Sequence, residues 1–413
     1  MAVAGRLGGT CAREVWRRRL LHEPRRSEIA PIRPSEGPVP AAAARATVYR
    51  PGALTMTTVA SFDIPYTSFI APDGRAERDL PEFARDPRAL IPLYRAMVRS
   101  RSLDARAVAL HRTGRLGTYA SGLGQEAVGV GLASAMEDAD VLVPSYRDQA
   151  ALLWRGVTPV EILLYWGGDE RGSEYAGPRG DFPVSITVGE HPPHAAGVAL
   201  AMRIKNERRV AVCTVGDGGT SKGAFYEALN VAGSMCLPLI VVIVNNGWAI
   251  SAPRSIQSAA PTLAQKAVAA GMPGEQVDGN DAVAVAEVCR RAVDRARAGE
   301  GATLIEAVTY RLADHTTVDD ARRYRDDAEV SRQWELEPIG RLRKHLVGAG
   351  VWAKEDEEGL LAECAAEVDG AAEEYLATPP LPPEAMFDFL YQDLPPGLEA
   401  QRLAAIQESA ADA

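Results

Sequence analysis

Two short polar segments hold the residues of this sequence that are best suited to bind a ligand. Gly216-Asp217-Gly218 is followed by residues 219–244 and then by Asn245-Asn246. An aliphatic run precedes each segment and predicts a buried strand. Ligands bind at the carboxyl ends of parallel strands, so Asp217 and Asn246 should converge there. A carboxylate, an amide oxygen, a backbone carbonyl and phosphate oxygens make the hard oxygen shell that magnesium requires.

The glycines beside Asp217 indicate what accompanies the metal. They let the backbone approach a diphosphate closely, and the following helix would present its N-terminal amides to that anion. A Walker loop needs Gly-Lys-Ser/Thr, which residues 219–223 do not supply. The nearest match to a dinucleotide fingerprint, at 122–127, is weak. The two motifs at this spacing therefore predict a thiamine diphosphate site.

The elements that must position these motifs alternate along the chain. Expected strands lie at 141–143, 210–215, 237–244 and 303–310, and expected helices at 90–112, 125–136, 220–235, 260–271 and 281–299. Beyond residue 335 the chain reads as helical, with a break at the prolines of 379–383. Strands separated by helices predict an α/β fold with a parallel sheet and helices on both faces. The two motifs make the expected fold one of the thiamine-diphosphate-binding type.

Motifs spread over most of the chain resemble the alpha subunit of the first, decarboxylating component of 2-oxoacid dehydrogenase complexes. The likeness to the pyruvate and branched-chain enzymes runs from about residue 90 to 394. It includes the two metal motifs and four further segments: Gly124-Gln125-Glu126-Ala127, Tyr146-Arg147-Asp148, Val277-Asp278-Gly279-Asn280-Asp281 and Asp314-His315-Thr316-Thr317 with Arg323-Tyr324-Arg325.

The resemblance assigns residues to the magnesium and to the diphosphate of the cofactor. Magnesium would be bound by the side chains of Asp217 and Asn246 and by the carbonyl of Trp248. The diphosphate would accept backbone contacts from Gly218 and Gly219. Tyr146-Arg147 would reach it from another loop, where the fork geometry of arginine suits phosphate.

The same resemblance places three residues near the reacting end. Ile186 and Val188 would touch the aminopyrimidine, and Val188 would be the apolar wedge that bends the cofactor. His315 would be the catalytic residue of this chain, contacting the diphosphate and positioning the reaction for acyl transfer.

The implied reaction is oxidative decarboxylation of a 2-oxoacid, with acyl transfer to the lipoyl group of a dihydrolipoyl acyltransferase. A beta subunit in an alpha2beta2 heterotetramer would supply the acid that activates the cofactor. Pyruvate is the favoured substrate, while branched-chain 2-oxoacids (3-methyl-2-oxobutanoate) and acetoin remain alternatives. A non-catalytic homologue and a nicotinamide-dependent oxidoreductase are alternatives of other classes, and the intact motifs argue against both.

Four positions depart from the family pattern. Val244 lacks the polar contact that some relatives make, His191 stands where many have Gln, Lys222 where they have Glu or Gln, and Val318 replaces a common Ser. None is an expected metal ligand, but together they weaken the substrate assignment.

Bulk composition excludes several partners. The 413 residues carry a net charge of −10, which argues against nucleic-acid binding, and no apolar run is long enough to span a bilayer. Five scattered cysteines without a C-x-x-C pair are typical of neither a disulfide framework nor a zinc site and favour a cytoplasmic location. Residues 1–55 are expected to be a disordered extension, 56–395 the cofactor-binding domain and 396–413 a helical tail.

Overall fold

A six-stranded parallel sheet lies at the centre of the fold, in a computed structural model that describes residues 59–412. The strands are β1 Tyr66–Thr67, β2 Val141–Val143, β3 Ala211–Gly216, β4 Leu239–Asn245, β5 Trp248–Ala249, β6 Ala252–Pro253, β7 Gly274–Asp278 and β8 Thr303–Val308. Their order in the main sheet is β1-β7-β8-β4-β3-β2, and β5 and β6 form a separate antiparallel pair.

Helices cover the sheet and continue to the C-terminal end of the described chain. They are α1 Ile91–Arg112, α2 Glu126–Ser134, α3 Gln149–Arg155, α4 Pro159–Gly167, α5 His191–Lys205, α6 Gly223–Ser234, α7 Arg254–Gln257, α8 Lys266–Ala269, α9 Ala282–Arg297, α10 Asp327–Trp334, α11 Pro338–Gly348, α12 Lys354–Ala377 and α13 Pro396–Asp412. None of those that could be described is both long and apolar enough to cross a membrane.

Alternate side chains of the central strand enter different cores. Ile240, Val242 and Val244 of β4 pack in the cluster that contains α2 and α9. Leu239, Val241 and Ile243 pack in the cluster that contains α5 and α6. Because side chains alternate across a strand, a run that is apolar throughout is buried on both faces. The predicted α/β fold with helices on both faces is therefore confirmed.

The expected helix at 260–271 is largely wrong. Only Lys266–Ala269 is helical. The turn before it is of the 3₁₀ type, since the N–H groups of Lys266 and Ala267 donate to the carbonyls three residues earlier, and Gly271 at φ +67 follows the short helix. The backbone amides of Leu263 and Ala264 donate to the carboxylate of Glu306, at 2.7 and 3.0 Å, where this turn begins. Strand β7 was not expected, since its sequence is too polar to read as an apolar run.

The helix expected at 220–235 begins later than expected. Asp217–Ser221 form a 3₁₀ turn, and α6 starts only at Gly223, after Lys222 in an extended conformation. The proposed extension, residues 1–55, lies outside the described residues. The division into 56–395 and a tail from 396 stays a prediction, although α13 covers most of that tail.

Candidate functional site

A cavity of about 560 Å³ opens at the carboxyl ends of β3 and β4. These strands are adjacent and parallel, with Gly216 opposite Val244, so the residues that follow them lie on one edge of the sheet. Nine of the ten expected site residues line it: Tyr146, Arg147, Val188, Asp217, Gly218, Gly219, Asn246, Trp248 and His315. Ile186 does not line this cavity and is 58% exposed.

Asp217 brings a buried negative charge to the cavity. Its side chain is nearly inaccessible, and Oδ2 accepts a hydrogen bond from Nε2 of Gln257 at 3.2 Å. Burial raises the pKa of this carboxyl to about 6, against smaller opposing effects of the hydrogen bonds that it accepts. A buried carboxylate held by an uncharged amide is a site that a cation would stabilise.

Asn246 follows β4 directly, and both ends of its amide have partners. Oδ1 accepts the backbone N–H of Trp248 at 3.2 Å, and Nδ2 donates to Oε1 of Gln125 at 3.1 Å. These contacts hold the amide in one orientation and leave a second lone pair on Oδ1 for a ligand.

The donor set fits magnesium bound together with a ligand better than a closed all-protein site. Among residues 59–412 no group of three or more His, Cys, Asp or Glu side chains could hold a metal. For a metal the cavity offers the carboxylate of Asp217, the amide oxygen of Asn246 and the carbonyl of Trp248, which also accepts from Nη1 of Arg311 at 3.3 Å. Magnesium usually takes few protein oxygens and fills its octahedron with phosphate oxygens and water.

Two guanidinium groups bring positive charge to the cavity: Arg147 lines it, and Arg311 lies behind residues that line it. Arg147 donates to the carbonyls of Ser121 and His315, at 2.7 and 2.5 Å. Arg311, fully buried, donates to the carbonyls of Trp248 and Ile250, and to the hydroxyl of Tyr324. In the described chain these partners are uncharged, so both cations lack direct neutralisation and favour a bound anion.

The arginines also set the protonation state of His315. Its Nδ1 lies 2.9 Å from Nη2 of Arg147 and 3.4 Å from Nη1 of Arg311. A guanidinium can only donate, so Nδ1 must accept, and in the neutral ring Nε2 carries the proton. Burial, followed by the charges of the two arginines, lowers the pKa of His315 to about 4. His315 therefore faces the cavity region as a neutral imidazole.

Close packing explains the glycines after Asp217. A Cβ on Gly218 would lie 2.5 Å from Cβ of Ala249, and one on Gly219 would lie 2.6 Å from Cγ2 of Val215 and 3.4 Å from Cγ1 of Val188. The turn at 217–221 is thus packed tightly between the strand ends and the expected wedge residue, Val188.

Sequence analysis missed Gln125, Gln257 and Arg311 as contributors to the site. Arg311 could have been found, because it follows β8, the neighbour of β4, at the same edge of the sheet. His191 is buried in the cavity wall, and its Nε2 lies 3.0 Å from the carbonyl of Ser185. No pattern pointed to Gln257, which reaches Asp217 from the short helix α7.

Comparison with known proteins shows the family of this chain. Residues 94–384 match the family model described as "Dehydrogenase E1 component". The 3-methyl-2-oxobutanoate dehydrogenase subunit alpha of Mycobacterium tuberculosis is 40% identical over 359 residues, 86% of this chain and 95% of the relative.

Relatives named for a different substrate are equally similar. The pyruvate dehydrogenase E1 component subunit alpha of Staphylococcus aureus is 41% identical over 313 residues, 76% of this chain and 85% of the relative. The protein of that name from Acholeplasma laidlawii is 41% identical over 316 residues, 76% of this chain and 91% of the relative. The family match thus extends over β2 to β8 and all the residues that line the cavity, and the chain belongs to the dehydrogenase E1 component family.

Proposed function

We propose that this chain is the alpha subunit of a thiamine-diphosphate-dependent 2-oxoacid dehydrogenase. The observation that carries the proposal is the charge pattern of the cavity. A buried carboxylate, Asp217, lies in the same cavity as Arg147 and close to Arg311, and the hydrogen bonds of all three go to uncharged groups. A polyanion that carries a divalent cation would neutralise both kinds of charge.

Each expected residue has a role consistent with its place. Asp217, Asn246 and the Trp248 carbonyl would hold magnesium, while the turn at 218–219 and Arg147 would hold the diphosphate. Bound thiamine diphosphate supplies the nucleophilic carbon that adds to the 2-oxo group and releases carbon dioxide.

The reacting end would be shaped by the remaining expected residues. Val188 would press against the middle of the cofactor as the wedge, and Tyr146 would contact the diphosphate beside His315. Ile186 does not line the cavity of this chain, so it would contact the aminopyrimidine only if the loop that carries it brought it there. His315, neutral with a proton on Nε2, would donate a hydrogen bond to an oxygen at the reacting centre.

The cavity also supports the need for a partner. Among its described lining residues the carboxylates are Asp217 and Asp148. Asp148 already accepts from the backbone of Ser145 and the hydroxyl of Thr214, so it is not free to act on the cofactor. We therefore propose a beta subunit that supplies the activating acid in an alpha2beta2 heterotetramer, and a lipoylated dihydrolipoyl acyltransferase as acceptor of the acyl group. A cytoplasmic location stays a prediction.

Pyruvate is the substrate we favour, and branched-chain 2-oxoacids are the alternative, since relatives of both kinds share similar identity with this chain. The decisive experiment assays the chain, assembled with its beta subunit, against pyruvate, 3-methyl-2-oxobutanoate and acetoin. We expect decarboxylation that requires both thiamine diphosphate and magnesium, with pyruvate giving the highest kcat/KM. A higher kcat/KM for 3-methyl-2-oxobutanoate or acetoin would establish the corresponding alternative. Turnover of none of the three would contradict the proposed function.

A further inference from the structure

Gln125 is a buried polar residue of the cavity that neither the sequence motifs nor the family roles explain. It precedes α2, is 5% exposed and lines the cavity. Its side chain makes no capping hydrogen bond to α2. Within the described chain, Nε2 is fully buried and has no hydrogen-bond partner.

The orientation of this amide follows from a short chain of donors. The backbone N–H of Trp248 can only donate, so the atom of Asn246 that it meets must be Oδ1. The other end of Asn246 is then Nδ2, a donor, and the atom of Gln125 that it meets must be Oε1. The remaining atom of Gln125 is therefore Nε2, whose two hydrogens have no acceptor among residues 59–412.

An unpaired buried donor is costly, and such groups in folded proteins usually meet a ligand or water. Here the donor belongs to the side chain that accepts a hydrogen bond from Asn246, the expected metal ligand. In the proposed site, the anion nearest to Asn246 would be the diphosphate, because it binds the same magnesium ion. Since Arg147 and Arg311 already supply positive charge to the cavity, an uncharged amide donor would add a directional contact rather than further charge.

We propose that Nε2 of Gln125 donates a hydrogen bond to an oxygen of the diphosphate, while its Oε1 orients Asn246 for the metal. The assignment rests on the proposed function and adds to it a residue that joins the metal ligand to the anion. Gln125 is thus a cofactor-binding residue and, through Asn246, a positioning residue for magnesium.

The test measures cofactor affinity rather than activity. Calorimetry on the assembled protein with its beta subunit, at limiting and at saturating magnesium, compares the wild type with Gln125→Met and Gln125→Glu. Loss of one hydrogen bond to a charged group should weaken thiamine diphosphate binding on the order of 10- to 100-fold in Gln125→Met. Gln125→Glu should weaken it at least as much, because a carboxylate would face the phosphate.

Inorganic diphosphate with magnesium serves as a second probe. It lacks both rings, so its affinity should fall by a similar factor if the contact is to the phosphate end. The matched control is Gln265→Met, a partly buried glutamine outside the cavity that accepts from the backbone of Thr262. We expect it to bind both ligands as the wild type does. Thermal melting shows whether each variant is folded, and Gln125→Asn replaces any that is not.

The outcomes separate this inference from the function itself. If the wild type does not bind thiamine diphosphate with magnesium, the proposed function fails. If it binds and the Gln125 variants bind equally well, only the role of Gln125 is overturned. A defect that disappears at saturating magnesium would show that Gln125 acts on the metal alone, and an unchanged affinity for inorganic diphosphate would place the contact elsewhere. Either result overturns the donor contact.

Discussion

At the residue scale, the cavity holds charges in an arrangement that destabilises the ligand-free protein. Asp217 has lost most of its hydration, which is why its pKa is raised to about 6. Arg147 and Arg311 both approach Nδ1 of His315, so two like charges lie close together without a carboxylate between them. Such arrangements are typical of binding sites, because the residues are arranged for a charged ligand rather than for stability.

Replacing Asp217 should separate binding from stability. We expect Asp217→Asn to lose magnesium-dependent binding of thiamine diphosphate, because the metal loses its carboxylate ligand. The ligand-free protein should become more stable by about 1–2 kcal/mol at pH 7.5, since a buried charge is removed from a site that penalises it. Calorimetry and urea denaturation measure the two effects. Wild-type affinity in Asp217→Asn would refute the metal assignment.

His315 should make stability depend on pH in a defined window. Its pKa is about 4 in the folded protein and 6.5 in the reference state, so the unfolded chain binds the proton first as the pH falls. This contribution to stability is complete above pH 6.5 and is lost progressively towards pH 4. Because the ring is partly exposed, we expect the loss at pH 5 to be about 1 kcal/mol.

His315→Gln should remove this loss of stability at low pH. Urea denaturation of the ligand-free protein at pH 7 and pH 5 gives the difference for the wild type and the variant. His111→Gln, a histidine outside the cavity, is the control and should keep the wild-type difference. An equal pH dependence in wild type and His315→Gln would mean that the arginines do not hold His315 neutral.

At this scale, a residue of the cavity could be predicted from the sequence where its position directly after a strand was enough to place it there. Asp217 and Asn246 directly follow aliphatic strands, and the edge of a parallel sheet brings them into one cavity. Gln125 and Gln257 could not be assigned in this way, whereas Arg311, which follows β8, could have been. The roles of the two glutamines depend on which atoms meet across loops far apart in sequence, such as Gln125 with Asn246, and no periodicity encodes that.

At the element scale, prediction succeeded where burial dictates the pattern. β4 is apolar throughout because both of its faces are covered, and the sequence shows it plainly. β7 contains Glu275 and Gln276, which bond to neighbouring polar side chains, so its strand character is hidden. Helix α5 also went unpredicted. It begins at His191, just after Gly189 at a positive φ, and two prolines occupy its first turn.

The turn before α2 offers an element-scale test. Gly124 has φ +91, and a Cβ there would lie 2.4 Å from the backbone oxygen of Tyr310. Gly124→Ala should destabilise the protein by about 2–4 kcal/mol, through backbone strain and displacement of the segment after β8. It should also weaken cofactor binding, since Gln125 is the next residue. Urea denaturation and calorimetry measure both.

Gly114 provides the control for that substitution. It also has positive φ, +70, but a Cβ there would meet nothing within 4 Å. Gly114→Ala should therefore cost only the backbone strain, about 1 kcal/mol, and leave cofactor affinity unchanged. If both alanine variants lost the same stability, the close approach to Tyr310 would not matter.

At the scale of the whole molecule, the class of fold was predictable and the strand order was not. Alternating strands and helices require a parallel sheet with covered faces. The pairing of β8 with β4 and of β7 with β8 depends on tertiary packing. The local sequence does not indicate which strands will be neighbours. The same limit applies to partners, because a surface that completes a site on another chain has no local motif.

The last prediction concerns the acid that activates the cofactor. The isolated chain should decarboxylate no 2-oxoacid, and activity should appear only with a beta subunit. Activating the cofactor requires a carboxylic acid within about 3 Å of its aminopyrimidine ring. The described cavity offers Asp217, expected on the metal, and Asp148, engaged with Thr214 and Ser145. Light scattering and assays of the chain with and without its partner decide the matter, and turnover of pyruvate by the chain alone would show that the acid lies within it.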